Sequence, residues 1–164
     1  MKSTHFIVIA GLLLAEASLA QTATTAASVI IDNRLIAITK TGDLNFGTIV
    51  PSLDIAGTAS VSIGHVVTVN NVVASSTTLA RAATYSVTGN PLAEYNVTLP
   101  SSITLSNGAQ TMTVNQFVRS GGVAALTMNT SGISSFNVGA TLNVNANQAS
   151  GTYTGNFDVT VAYN

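Results

Sequence analysis

Residues that could do chemistry are few in this chain and stand far apart. Beyond the first twenty residues His65 is the sole histidine, and the sequence has no cysteine. A Ser-His-Asp set or a Cys-His pair needs a base within reach of its nucleophile. One histidine and no thiol leave little to build either from. His65 shares the parity of Val61, Ile63, Val67 and Val69, which predicts a half-buried strand residue rather than a base. Zinc needs three or four His, Cys or carboxylate ligands, and the acids occur singly. Asp32, Asp43 and Asp54 recur every eleven residues, a spacing that raises calcium. Each, however, lies beside turn-forming residues, where an aspartate bonds its own backbone. A glycosidase needs two carboxylates facing across a cleft, and Glu94 and Asp158 are the only other acids beyond residue 20. The reading is therefore a non-enzyme, with no catalytic residue, no cofactor and no metal.

Sugar binding is the function class left over. Sugar rings commonly stack on aromatic side chains, and the chain has no tryptophan. Tyr85, Tyr95, Tyr153 and Tyr163 all fall on strand-like runs, where core packing is their ordinary use. A self-complete exported sandwich that binds a glycan or surface ligand is accordingly the alternative reading.

The elements that would position these residues are strands. Apolar residues alternate with Thr, Ser and Asn over 61–69, 85–87, 95–99, 112–114, 136–144 and 157–163. That period of two gives each run one buried and one wet face. Gly57, Gly64, Gly89-Asn90-Pro91, Pro100, Gly121-Gly122 and Gly132 punctuate the runs at the spacing of a β-sandwich or barrel. Asn107-Gly108, between Ile103–Leu105 and Met112–Val114, is the best hairpin signal. Val72–Ala83 is the least decided stretch, either a strand pair or a short helical turn. The chain ends abruptly on Gly151, Tyr153, Phe157, Val159, Val161 and Tyr163, all on one face, which predicts a strand set deep in a sheet.

Residues 1–20 read as a signal peptide: a positive start at Lys2, an apolar run over Phe6–Ala15, then small residues at Ser18 and Ala20. Cleavage is expected before Gln21. No later run approaches about 18 apolar residues, so no transmembrane segment is expected beyond it. The rest reads as a 21–31 extension and one 32–164 domain, large enough for a core without disulfides. A formal net charge of −1 without a basic cluster argues against nucleic acid as partner. It also does little to keep copies of the chain apart.

The C-terminus resembles that of chaperone–usher pilins, which end on an alternating strand with a penultimate Tyr and a Gly fourteenth from the end. Those are Tyr163 and Gly151 in this chain. Together with Leu44-Asn45-Phe46-Gly47, Val138-Gly139-Ala140 and Gly151–Phe157, the chain resembles a bacterial family of exported domains of unknown function. That family is similar to spore coat U-like, archaic-type pilins, and the likeness runs from about residue 29 to 164. Many such pilins carry a disulfide, which this chain cannot form.

The resemblance implies an Ig-like β-sandwich lacking one strand, a structural subunit of a surface filament that supports adhesion or biofilm. A periplasmic chaperone and an outer-membrane usher would handle the subunit on its way to the cell surface. Each copy would then be completed by its neighbour's N-terminal extension, making a head-to-tail homo-oligomer. The candidate donor face is Ala23, Thr25, Ala27, Val29 and Ile31, worth roughly 5–8 kcal/mol of gross side-chain burial. The opposite face, Thr22, Thr24, Ala26, Ser28 and Ile30, is poorer. The competing expectation is that Val29 and Ile31 open the protein's own first strand, continuing through Leu35, Ile36 and Ile38. In a bacterial secretory context the sequons at Asn96 and Asn129 are chance matches.

Overall fold

The computed structural model describes residues 21–31 and 33–164. The expected signal peptide, residues 1–20, and Asp32 lie outside the described residues. The chain divides into a unit ending at Ile31 and a unit spanning Asp32–Asn164. Residues 21–31 have no regular secondary structure, and Val29, Ile30 and Ile31 are exposed.

The second unit is a β-sandwich, all strands and no helix among the described residues. The strands are β1 Ala37–Gly42, β2 Thr48–Pro51, β3 Gly57–Val61, β4 Val67–Asn70, β5 Val72–Ser76 and β6 Ala83–Thr88. They continue with β7 Glu94–Thr98, β8 Ser102–Ser106, β9 Thr111–Arg119, β10 Leu126–Thr127, β11 Ile133–Val144 and β12 Thr160–Tyr163. Alternation in the sequence becomes alternation in burial. Ala83, Tyr85 and Val87 of β6 point inward, while Thr84 and Ser86 between them stay half-buried.

Strand β11 is the spine of a seven-stranded antiparallel sheet. Val138 faces both Ala83 and Arg119, and Thr141 faces both Ser60 and Asn115. One edge of β11 therefore carries β6 and then β3, and the other carries β9. Strands β1, β4 and β8 lie outside β6, β3 and β9 respectively. Smaller sheets, β10-β7-β12 and β2-β5, complete the sandwich. Partners on both edges leave the middle of β11 buried without a break from Val138 to Leu142. Gly139 is needed there, because a Cβ on it would sit 2.2 Å from the Val61 carbonyl oxygen. The buried Thr141 hydroxyl is satisfied by Ser60 Oγ at 2.9 Å.

Two apolar clusters form the core. One holds Phe46, Val61, Val114 and Leu142, with Ile49 and Val72 from the β2-β5 side. The other holds Tyr85, Val87, Tyr95, Met128, Phe136 and Val138. Leu44 and Phe117 pack against both. Tyr85 and Phe136 face each other in the β6–β11 ladder and stack with centroids 5.3 Å apart, adding to their burial.

Three local expectations need correcting. His65 is not a strand residue; it lies in the β3–β4 turn with φ +65°. Its Nδ1 accepts a 3.1 Å hydrogen bond from the Ala82 amide. Val72–Ala83 is neither a strand pair nor a helical turn: β5 occupies its start and a turn leads into β6 at its end. The C-terminal strand is not deep in a sheet, since β12 is the edge of a three-stranded one. The Asn107-Gly108 hairpin is present, joining β8 to β9 through four residues. Asn107 works by its side chain, whose Oδ1 accepts from the amides of Ala109 and Gln110.

Candidate functional site

Two strand edges in this sandwich meet without pairing. Strand β1 is bonded to β6 on one side, and among the described residues no strand bonds its other side. Strand β12 is bonded to β7 and likewise has one free side. The two strands come close to each other but form no ladder. Beneath the seam lies the second apolar cluster, against which Ile36, Ile38, Phe157, Val159 and Val161 pack half-buried. Unpaired edges above a half-covered apolar floor form a lane that an added strand could fill.

The C-terminal border of this lane is tied to the sandwich at two places with an unpaired stretch between them. A bridge between Ser106 and Thr154, with amide–carbonyl distances of 2.9 and 3.0 Å, holds the segment against β8. From Thr160 onward the β12–β7 ladder holds it again. Between them Gly155–Val159 belong to no ladder, although Phe157 and Val159 alternate with exposed Asn156 and Asp158 as in a strand. Register gives the reason. Thr160 faces Thr98, so continuing the ladder would bring Asp158 opposite Pro100, which has no amide to donate. Phe157 is nevertheless fixed, its ring tilted against Phe117 with centroids 5.0 Å apart. Gly155 passes so close to β8 that a Cβ would stand 2.5 Å from the Thr104 carbonyl oxygen.

At its far end the lane is tied. Tyr163 Oη accepts a 2.6 Å bond from the Asn90 amide and donates a 2.9 Å bond to the Arg34 carbonyl. Asn90 Oδ1 in turn accepts from the Arg34 amide at 2.5 Å. Gly89 makes room for the phenol, since a Cβ there would meet Tyr163 Oη at 2.3 Å.

The structure thus brings the C-terminal residues into one line. Phe157, Val159, Val161 and Tyr163 border the lane. Tyr153 lies beyond the bridge, donating to the Ala149 carbonyl and accepting from Gln148 Nε2. Gly151 sits at φ +148°, a conformation for glycine. The other predicted set, Ala23, Thr25, Ala27, Val29 and Ile31, forms no strand, and all five are exposed. Strand β1 starts at Ala37, so Val29 and Ile31 do not open it.

Sequence reasoning missed Asn90, whose only signal was its place in a Gly-Asn-Pro turn. It also missed Arg119, which is 8% exposed and donates from its guanidinium to the carbonyls of Ser120 and Ala124. Neither role leaves a periodic mark.

Elsewhere the surface offers little chemistry. Among the described residues no three His, Cys, Asp or Glu side chains gather into a metal site. A hollow of about 220 Å³ between β3 and β9 is lined by Ser60, Ser62, Thr68, Gln116 and Thr141, without a titratable group to serve as a base. Asp43 pairs with Lys40, and both are exposed. The Asn129 side chain is taken up by its turn, its Oδ1 accepting from the amides of Ser131 and Ile133.

No curated protein and no solved structure matches the chain. The profile of one family, described as Domain of unknown function (DUF4402), matches residues 36–163. That span opens beside β1 and closes on Tyr163, so it takes in both free edges, and by it the chain belongs to the DUF4402 family.

Proposed function

We propose that this chain is a structural subunit, a pilin, of a bacterial surface filament built by donor-strand complementation. The observation that carries the reading is the lane between β1 and β12, with two unpaired edges flanked by half-buried apolar side chains. The occupant is the segment Gln21–Ile31 of another copy, which has an alternating apolar face and no secondary structure of its own. Strand addition would supply ladder bonds along both edges and cover Ile38, Phe157, Val159 and Val161. Because the donor lies at one end of the chain and the acceptor elsewhere, the contact is head-to-tail and grows a fibre. A chaperone strand would fill the lane in the periplasm and an usher would exchange it for the donor, with adhesion or biofilm as the filament's role.

Deleting Gln21–Ser28 tests this. The truncated chain should fold in the presence of its chaperone yet form no fibres by negative-stain microscopy. Added peptide spanning Gln21–Ile31 should then hold it as a soluble monomer. A truncated chain that is a stable monomer without peptide, melting like the full chain, would instead favour a self-complete sandwich that binds a glycan or surface ligand.

A further inference from the structure

Tyr163 joins the end of β12 to the segment leading into β1 by hydrogen bonds. Its ring leaves the end of β12, and its hydroxyl ties the residue leading into β1, Arg34, to the turn at Asn90. Three features make this a built contact rather than a chance approach. The hydroxyl uses both of its capacities, as acceptor and as donor. Arg34 and Asn90 are joined to each other a second time, through the Arg34 amide and Asn90 Oδ1. Gly89 lacks the one atom that would displace the phenol. A strand running along the lane therefore meets a ring anchored on both sides of its path.

We infer that Tyr163 is a clasp that closes one end of the lane and sets how much of an inserted strand the sandwich accepts. This rests on the filament reading for its second half and on geometry alone for its first. From Gly155 to Tyr163 is nine residues, and so is the alternating donor face from Ala23 to Ile31. Two extended segments of equal residue count match in length. A clasp at Tyr163 makes that match a limit: residues beyond about nine find no further edge to pair with. The partner chemistry follows as an extended, uncharged strand with small or β-branched apolar residues at alternate positions.

Two variants probe the clasp by different routes. Tyr163→Phe keeps the ring and removes the hydroxyl, while Gly89→Ala keeps the hydroxyl and pushes it away. In the full chain, amide exchange at Asn90 should quicken about five- to tenfold in both, the worth of one ordinary hydrogen bond. The β12–β7 ladder amides should stay within about twofold. A series of peptides ending at Ile31 and lengthened towards and beyond Ala23 should gain affinity up to about nine residues and then level off. In Tyr163→Ala the gain should continue with longer peptides. Unchanged Asn90 exchange in both variants overturns the clasp. The same levelling-off length in wild type and Tyr163→Ala overturns the length limit while leaving the lane as a strand acceptor. If no peptide binds at any length, the length limit and the filament reading fall together, and the Asn90 amide alone decides whether the clasp exists.

Discussion

Asn107, Asn129 and His65 each offer a side-chain atom to a backbone amide that lies outside every ladder, those of Gln110, Ser131 and Ala82. The His65 bond matters most, because Ala82 is fully buried and its amide would otherwise be unpaired. His65→Ala should lower stability by about 1–3 kcal/mol in a urea melt, with fibre assembly unchanged. A specific activity lost in that variant would overturn the non-enzymatic reading. Tyr85 gives a pH test. It is 7% exposed, and burial first, then the nearby Asp43 charge, raises its phenol above the usual value of 10.0. Since the folded value is the raised one, its contribution is whole below about pH 10. It is then lost as pH climbs from the unfolded value towards the folded one. Thermal melts should fall off above about pH 10, and Tyr85→Phe should flatten that decline. The role of Tyr85 in the core was legible from its parity with Val87. The role of His65 was not, because parity says nothing about a turn residue with positive φ whose ring reaches another strand's end.

At the level of elements, the strands were legible wherever apolar and polar residues alternate, because burial on one face is what makes them strands. The run through Phe157, Val159 and Val161 alternates as well as any, yet only its last part is paired. Alternation reports which face is buried and is silent on whether an edge finds a partner. That depended on Pro100, seen in the sequence as a break but not as the residue that halts a ladder some sixty residues away. The long burial across Val138–Leu142 was likewise unreadable, since it arises from neighbours on both edges. The donor face can be tested as an element. Val29 and Ile31 are 81% and 86% exposed, so Ile31→Asp should leave subunit melting within about 0.5 kcal/mol. It should nonetheless weaken each fibre junction by several kcal/mol, because the carboxylate would enter an apolar lane. Equal fibre stability in wild type and variant, measured by denaturant dissociation, would remove residues 21–31 as the donor.

For the whole molecule, the sandwich class follows from composition and period. The gap in it does not, because an open lane is a property of how sheet edges meet. The sandwich holds two buried apolar clusters, and the second is flanked towards β1 and β12 by the half-buried Ile36, Ile38, Phe157, Val159 and Val161. A near-zero net charge adds no repulsion between copies. Amide exchange over Gly155–Val159, compared between the dissociated subunit and the same subunit saturated with a Gln21–Ile31 peptide, tests the open lane most directly. Fast exchange in the subunit that slows at least tenfold at alternate residues on adding peptide is the expected result, since an edge bonds through every second amide. Slow exchange already present in a concentrated, monomeric chain, unchanged by peptide, would contradict it: the sandwich would then be complete in one chain.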